Sequence, residues 1–244
     1  MFRSVLIGCV ALAAGSSLAI GAPQDDLKAA AQKLSDAASY SWKSTVEAAG
    51  GNNRGGGPSE GKTEKDGYTM VTMTRGENKV EILRKGDKVA IKTADGGWKT
   101  PAELAADNAG GGGANPGRFA GRAGQNMPAK TAEDLAADVK DLTASGDGFA
   151  GPLSEDGAKK ALTGGGRRGG ANANAAAPEI SGAKGDVKFM VKDGILTGYE
   201  LHVTGKVTRN GNDVDIDRTT KVEISDVGST KVEVPDEAKK KIEE

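Results

Sequence analysis

The stretch GDVKFMVKDGILTGYELHVTGKVTRNGNDVDIDRTTKVEISDVGSTKVEVPDE, residues 185–237, decides the fold. Apolar and polar side chains alternate through it with a period of two, as in strands with one face in a core and one in water. A hairpin turn fixes the register of its strands, and a slip of one residue would exchange their faces. Each turn is therefore testable by what it pairs. Asn210-Gly211 is a type I′ signal, and as a two-residue turn it pairs Val207 with Val214, Gly205 with Ile216 and Lys206 with Asp215. Asp193-Gly194 as a two-residue turn would set Val191 opposite Leu196 and aim Tyr199 at the polar side. A three-residue loop, 193–195, instead pairs Phe189 with Tyr199 and Val187 with Leu201, and predicts a bulge there. A loop at 227–229 pairs Ile224 with Val232 and Val222 with Val234. Parity is unbroken over 212–226, which reads as one long twisted strand.

The same test works upstream. A first strand spans 39–48, with Trp42 as an anchor, and a meander follows over 61–99. Gly86-Asp87 pairs Arg84 with Val89 and Ile82 with Ile91, while Gly76-Glu77 pairs Met73 with Val80 and Val71 with Ile82. All strands then share one apolar face, carrying Val71, Met73, Val80, Ile82, Val89, Ile91, Val187, Phe189, Val191, Tyr199, Leu201, Val203, Val207, Val214, Ile216, Val222, Ile224, Val232 and Val234. Lys, Glu, Asp and Thr take the other face. Helical periodicity appears at 26–38, with Leu27, Ala31, Leu34 and Ala38 on one side. It returns at 131–143, with Thr131 as N-cap and Leu135, Val139 and Leu142 inward, and again at 154–162 and 236–243. The fold class is α+β: a curved antiparallel half-barrel sheet with helices covering its concave apolar face.

Three segments, 50–58, 108–126 and 164–177, hold much of the chain's glycine, 37 residues in all, with Asn, Ala and Arg. Such composition buries too little apolar surface to offset its ordering entropy, so they read as flexible insertions in a single domain, 23–244. Their arginines resemble RNA-binding Arg-Gly runs, but a net charge of −1 and the single aromatic Phe119 speak against nucleic acid. The first 22 residues have a basic start, a short apolar run and small residues: a signal peptide cleaved after Ala19 or Ala22. Its loss removes Arg3 and no acid, taking the charge from −1 to −2. The lone cysteine, Cys9, lies inside it, which leaves the mature chain without a thiol. The expected location is the periplasm or the exterior, with no transmembrane segment.

No catalytic constellation emerges. His202 is the sole histidine and shares the wet face with Glu200, Thr204 and Lys206. Asp213, Asp215 and Asp217 resemble a calcium loop, but Arg218 and Ile224 stand where that loop needs Gly and Glu. The register sets the three acids opposite Thr208, Lys206 and Thr204 as cross-strand partners. Neither metal nor cofactor is expected. Arg84 and Arg218 fall on the apolar face, where an arginine must pair, reach solvent or meet a polar ligand group.

In order and pattern the chain resembles the superfamily of the periplasmic outer-membrane lipoprotein carrier and the mycobacterial lipid-binding lipoproteins. The residues that carry the resemblance are the opening helix at 26–38, Gly97-Trp98-Lys99-Thr100-Pro101, Pro152-Leu153-Ser154-Glu155-Asp156-Gly157-Ala158, the run from Gly198 to Val207, and Val232-Glu233-Val234-Pro235-Asp236. The resemblance implies a non-enzymatic carrier that holds acyl chains of a lipid or an acylated protein between sheet and helices. The cavity would be lined by Val71, Met73, Val80, Ile82, Val89, Ile91, Trp98, Phe189, Val191, Tyr199, Leu201, Val203, Val222 and Ile224, with Arg84 or Arg218 tethering the lid or a head group. The alternative is a structural or interaction protein of the envelope whose core is filled and carries no cargo.

Overall fold

In the computed structural model, one open sheet runs in the order β6-β5-β4-β3-β2-β1-β11-β10-β9-β8-β7, each strand antiparallel to its neighbours. The strands are β1 (Ser39–Ala48), β2 (Ser59–Glu64), β3 (Thr69–Arg75), β4 (Asn78–Lys85), β5 (Lys88–Lys92), β6 (Trp98–Lys99), β7 (Thr143–Ser145), β8 (Gly148–Pro152), β9 (Glu179–Lys192), β10 (Ile195–Arg209) and β11 (Asn212–Ser225). Helices α1 (Pro23–Asp36), α2 (Pro101–Asp107), α3 (Pro128–Asp138), α4 (Glu155–Leu162) and α5 (Asp236–Glu243) pack against it. The structure describes residues 22–49, 58–75, 78–93, 96–107, 127–163, 178–209 and 211–243. The expected signal peptide lies outside them apart from Ala22, and so do the three expected insertions apart from Pro58. The Gly76-Glu77 turn and Asn210 also lie outside.

The expected pairs across the three hairpins are present. Met73 faces Val80 and Val71 faces Ile82; Arg84 faces Val89 and Ile82 faces Ile91; Val207 faces Val214 and Lys206 faces Asp215. Phe189 faces Tyr199 and Val187 faces Leu201, but the turn before them differs from the expected loop. Asp193 and Gly194 form a two-residue turn, both left-handed at φ 54° and 71°, and Val191 does face Leu196. Parity is restored by a bulge at Thr197, whose hydroxyl donates to the Met190 carbonyl at 3.2 Å. A second bulge lies between β9 and β10 at Thr204/Lys206.

Two helices start earlier than their periodicity indicated. Helix α1 opens on Pro23 and ends at Asp36, so Ala30, rather than Ala38, joins Leu27, Ala31 and Leu34 in the core. Helix α3 opens on Pro128, a residue pre-organised for a first turn, and ends at Asp138. Thr131 is therefore inside the helix and hydrogen-bonds Tyr199. Val139 and Leu142 are buried beyond its end. Helix α4 is capped by its preceding serine: Ser154 Oγ accepts from the Gly157 N–H at 3.0 Å.

The expected pairing of Ile224 with Val232 and of Val222 with Val234 is absent. That edge of β11 is taken by β1, with Trp42 opposite Ile224 and Ser44 opposite Val222. The chain after Asp226 turns away and lays Val232, Val234, Ala238 and Ile242 on the outer face of the meander. There they cover Leu83, Ala90 and Trp98, with Tyr68 and Met70 beside them. The meander is thus buried on both faces, and Trp98 belongs to this second core rather than to the concave side.

Candidate functional site

The concave face divides into three zones. Under the C-terminal strands it is closed: Leu27, Ala31 and Leu34 of α1, Ala132 and Leu135 of α3, and Ala158 and Leu162 of α4 pack on Val187, Phe189, Leu196, Tyr199 and Val203. At the other end Ile82 and Ile91 are closed by Leu104 of α2, with Val80 and Val89 at the margin. Between the two lies a strip of half-buried residues. It runs Leu201–Thr220–Val46 across β10, β11 and β1, and Ser44–Ser59–Met73–Val80 across β1 to β4.

Of the residues expected to line a cavity, Val71, Ile82, Ile91, Phe189, Tyr199, Val203, Val222 and Ile224 are buried in the cores. Met73, Val80, Val89, Val191 and Leu201 are half-buried. The Phe189 and Tyr199 rings stand 6.4 Å apart and tilted, as do Tyr40 and Trp42 at 5.8 Å. Burial pushes the pKa of both Tyr40 and Tyr199 up to about 12, so neither phenol ionises near neutral pH.

Arg218 lies on the concave face opposite Val203 and Ala48. Its Nη2 donates to the Ala161 carbonyl at 2.7 Å. That carbonyl is in the last turn of α4, at the negative end of the helix dipole. The guanidinium ties the α4 end of the lid to the sheet, and burial draws its pKa below the ordinary value. Arg84 folds back along its own strand end, where Nε donates to the Gly86 carbonyl at 2.5 Å.

Cavities formed by described residues include two that lie outside the closed zones. An open groove of about 520 Å3 sits on the outer face, lined by Asp141, Thr143, Ala150, Gly151, Pro152, Asp186, Val187, Lys188, Glu200 and His202. A smaller one of about 230 Å3 opens where α1 ends and α3 begins, lined by Ser35, Ala37, Tyr40, Thr63, Lys65, Met127, Ala129 and Lys130. Sequence reasoning missed the second. Its one signal was the parity of Tyr40 with Trp42, which puts both on the concave face.

On the outer face His202 Nε2 meets Asp217 Oδ1 at 2.9 Å. Asp213 accepts from the Thr208 hydroxyl at 2.7 Å and meets Lys206 at 3.4 Å, and the two hold its carboxyl below the usual range. Asp215 lies 3.8 Å from the same lysine. Among the described residues no group of three or more His, Cys, Asp or Glu is arranged to hold a metal, and no helix is long and apolar enough to cross a membrane.

No protein-family model matches the chain, and no curated protein matches it. Among solved structures, the fold is similar to that of the lipoprotein LppX of Mycobacterium tuberculosis at 13% identity and a TM-score of 0.45, over 88% of this chain and 98% of the other. LprF of Mycobacterium bovis is similar at 12% identity and a TM-score of 0.43, over 89% of this chain and all of the other (100%).

Proposed function

We propose that this chain is an exported, non-enzymatic binding protein that holds an acyl chain, from a lipid or an acylated protein, between its sheet and its helices. The observation that carries the reading is the half-buried strip from Leu201 to Val80. It crosses six neighbouring strands, so five spacings of about 4.8 Å give it a length of about 24 Å. Leucine, valine and methionine are interspersed along it with short hydroxyl side chains, between two closed zones. Each methylene buried there contributes about 0.8 kcal/mol, so ten contribute about 8 kcal/mol before the cost of association. Native mass spectrometry and lipid extraction of protein purified from its own envelope test the reading. Co-purifying acyl chains and saturable binding of a fluorescent fatty acid are expected. A chain that carries no lipid and binds none sinks it.

A second reading, an envelope interaction protein with no cargo, is favoured by one observation. Leu27, Leu34, Phe189, Leu196 and Val203 are fully buried and fill the space beneath α1, α3 and α4. On that reading, deleting 50–58, 108–126 and 164–177 abolishes capture of partners and leaves the melting temperature unchanged.

A further inference from the structure

The cavity of about 230 Å3 brings three features together. Tyr40 is only 4% exposed, and nothing among the described residues hydrogen-bonds its hydroxyl. Yet no fully buried side-chain oxygen or nitrogen among the described residues lacks a partner. The Tyr40 hydroxyl therefore keeps some accessible surface, and Tyr40 lines this cavity. Its raised pKa keeps it a neutral donor.

Helix α3 starts in the same wall. Met127 is its N-cap, no side chain caps it, and Ala129 and Lys130 of its first turn line the cavity. Unsatisfied first-turn N–H groups and the positive end of the helix dipole meet there. The charged residues of the lining are Lys65 and Lys130, both cationic. They pair with Asp36 and Asp134, neither of which lines the cavity.

We infer that this cavity is an anion site that receives the carboxylate or phosphate head of the amphiphile whose chain lies along the concave strip. The inference rests on the acyl-chain reading above. A phenol, a helix N-terminus and two ammonium groups all favour negative charge, and a cationic head would meet two like charges. Tyr40 and Ser44 lie four residues apart on β1, about 13 Å along an extended strand. A head at Tyr40 and a chain on the strip belong to one extended molecule that crosses the indole of Trp42.

Calorimetric titration of the full chain with dodecanoate, dodecanol and inorganic phosphate tests this. Dodecanoate is expected to bind about ten-fold tighter than dodecanol. The exposed pair K65Q/K130Q removes most of that preference and leaves dodecanol binding unchanged. Tyr40→Phe lowers dodecanoate affinity about three-fold, and inorganic phosphate alone binds more weakly than dodecanoate by at least about a hundred-fold. Equal binding of dodecanoate and dodecanol, or a preference that survives K65Q/K130Q, overturns the head-group site while the acyl-chain reading stands. Phosphate binding as tight as dodecanoate binding overturns it in favour of a free-anion site. If neither amphiphile binds, the acyl-chain reading fails and takes this one with it.

Discussion

Single residues decide how closely the sheet can be covered. The Trp42 indole lies across Gly61 on the neighbouring strand, and a Cβ at position 61 would come within 2.0 Å of it. The glycine is what lets a large ring lie flat on the concave face beneath the lid. Gly61→Val is expected to displace the indole and cost about 1–3 kcal/mol, as overpacking does. Urea unfolding followed by tryptophan emission measures it, and an unchanged midpoint would mean that the ring has room to move. Arg218 shows the opposite economy. Its place on the apolar side was legible from parity, but its partner was not, because the Ala161 carbonyl comes from a helix 57 residues away in sequence. Burying an arginine without an acceptor is costly, so the end of α4 and the guanidinium stabilise each other's positions.

At the scale of elements, parity proved a sound guide to register and a poor guide to where a defect sits. The sequence between Lys192 and Tyr199 has one residue too many for unbroken alternation. That excess is a sum over the segment, and it cannot say whether the turn or the strand absorbs it. The strand absorbs it, at Thr197, because Leu196 then stays fully buried in the core and Asp193-Gly194 keeps a tight left-handed turn. Deleting Thr197 removes the surplus residue and is expected to leave Tyr199, Leu201 and Val203 on the concave face, opposite their present partners in an unbroken ladder. Near-ultraviolet circular dichroism should then keep its tertiary signal, and unfolding should stay cooperative. A lost tertiary signal or a non-cooperative melt would show that the bulge itself is needed to hold these side chains in the core. Helix starts were misjudged for a related reason. Thr131 looks like a cap in isolation, but Pro128 supplies an earlier start, and that turn places Thr131 beside Tyr199.

For the whole molecule, the decisive contacts join the two ends of the chain. Strand β1 pairs with β11, and the segment that follows β11 closes the outer face of the meander. Lys241 of α5 donates to Glu103 of α2 at 2.5 Å, while the Thr100 N–H donates to the other oxygen of that carboxylate at 2.7 Å. The Lys241 ammonium, then the Thr100 amide, lower the Glu103 pKa from 4.5 to about 2. A depressed carboxyl stabilises the fold fully above its unfolded value and loses that contribution as pH falls through its folded value. The melting-temperature gap between wild type and Lys241→Gln should therefore hold above pH 4.5 and close towards pH 2. A gap that stays constant over that range would rule the contact out as a source of stability. The sequence alone determined the registers of β3 with β4, β4 with β5 and β10 with β11, and the apolar face they share, because alternation and turn chemistry are local and each checks the other. It also held a sign of the second core, since Met70, Leu83 and Ala90 break the polar face of the meander. Only the tertiary structure decided which edge β11 offers to which strand, which face receives Trp98, and how much of the concave surface the helices close. Those outcomes depend on segments far apart in the chain competing for the same surface, and no local pattern records which one wins.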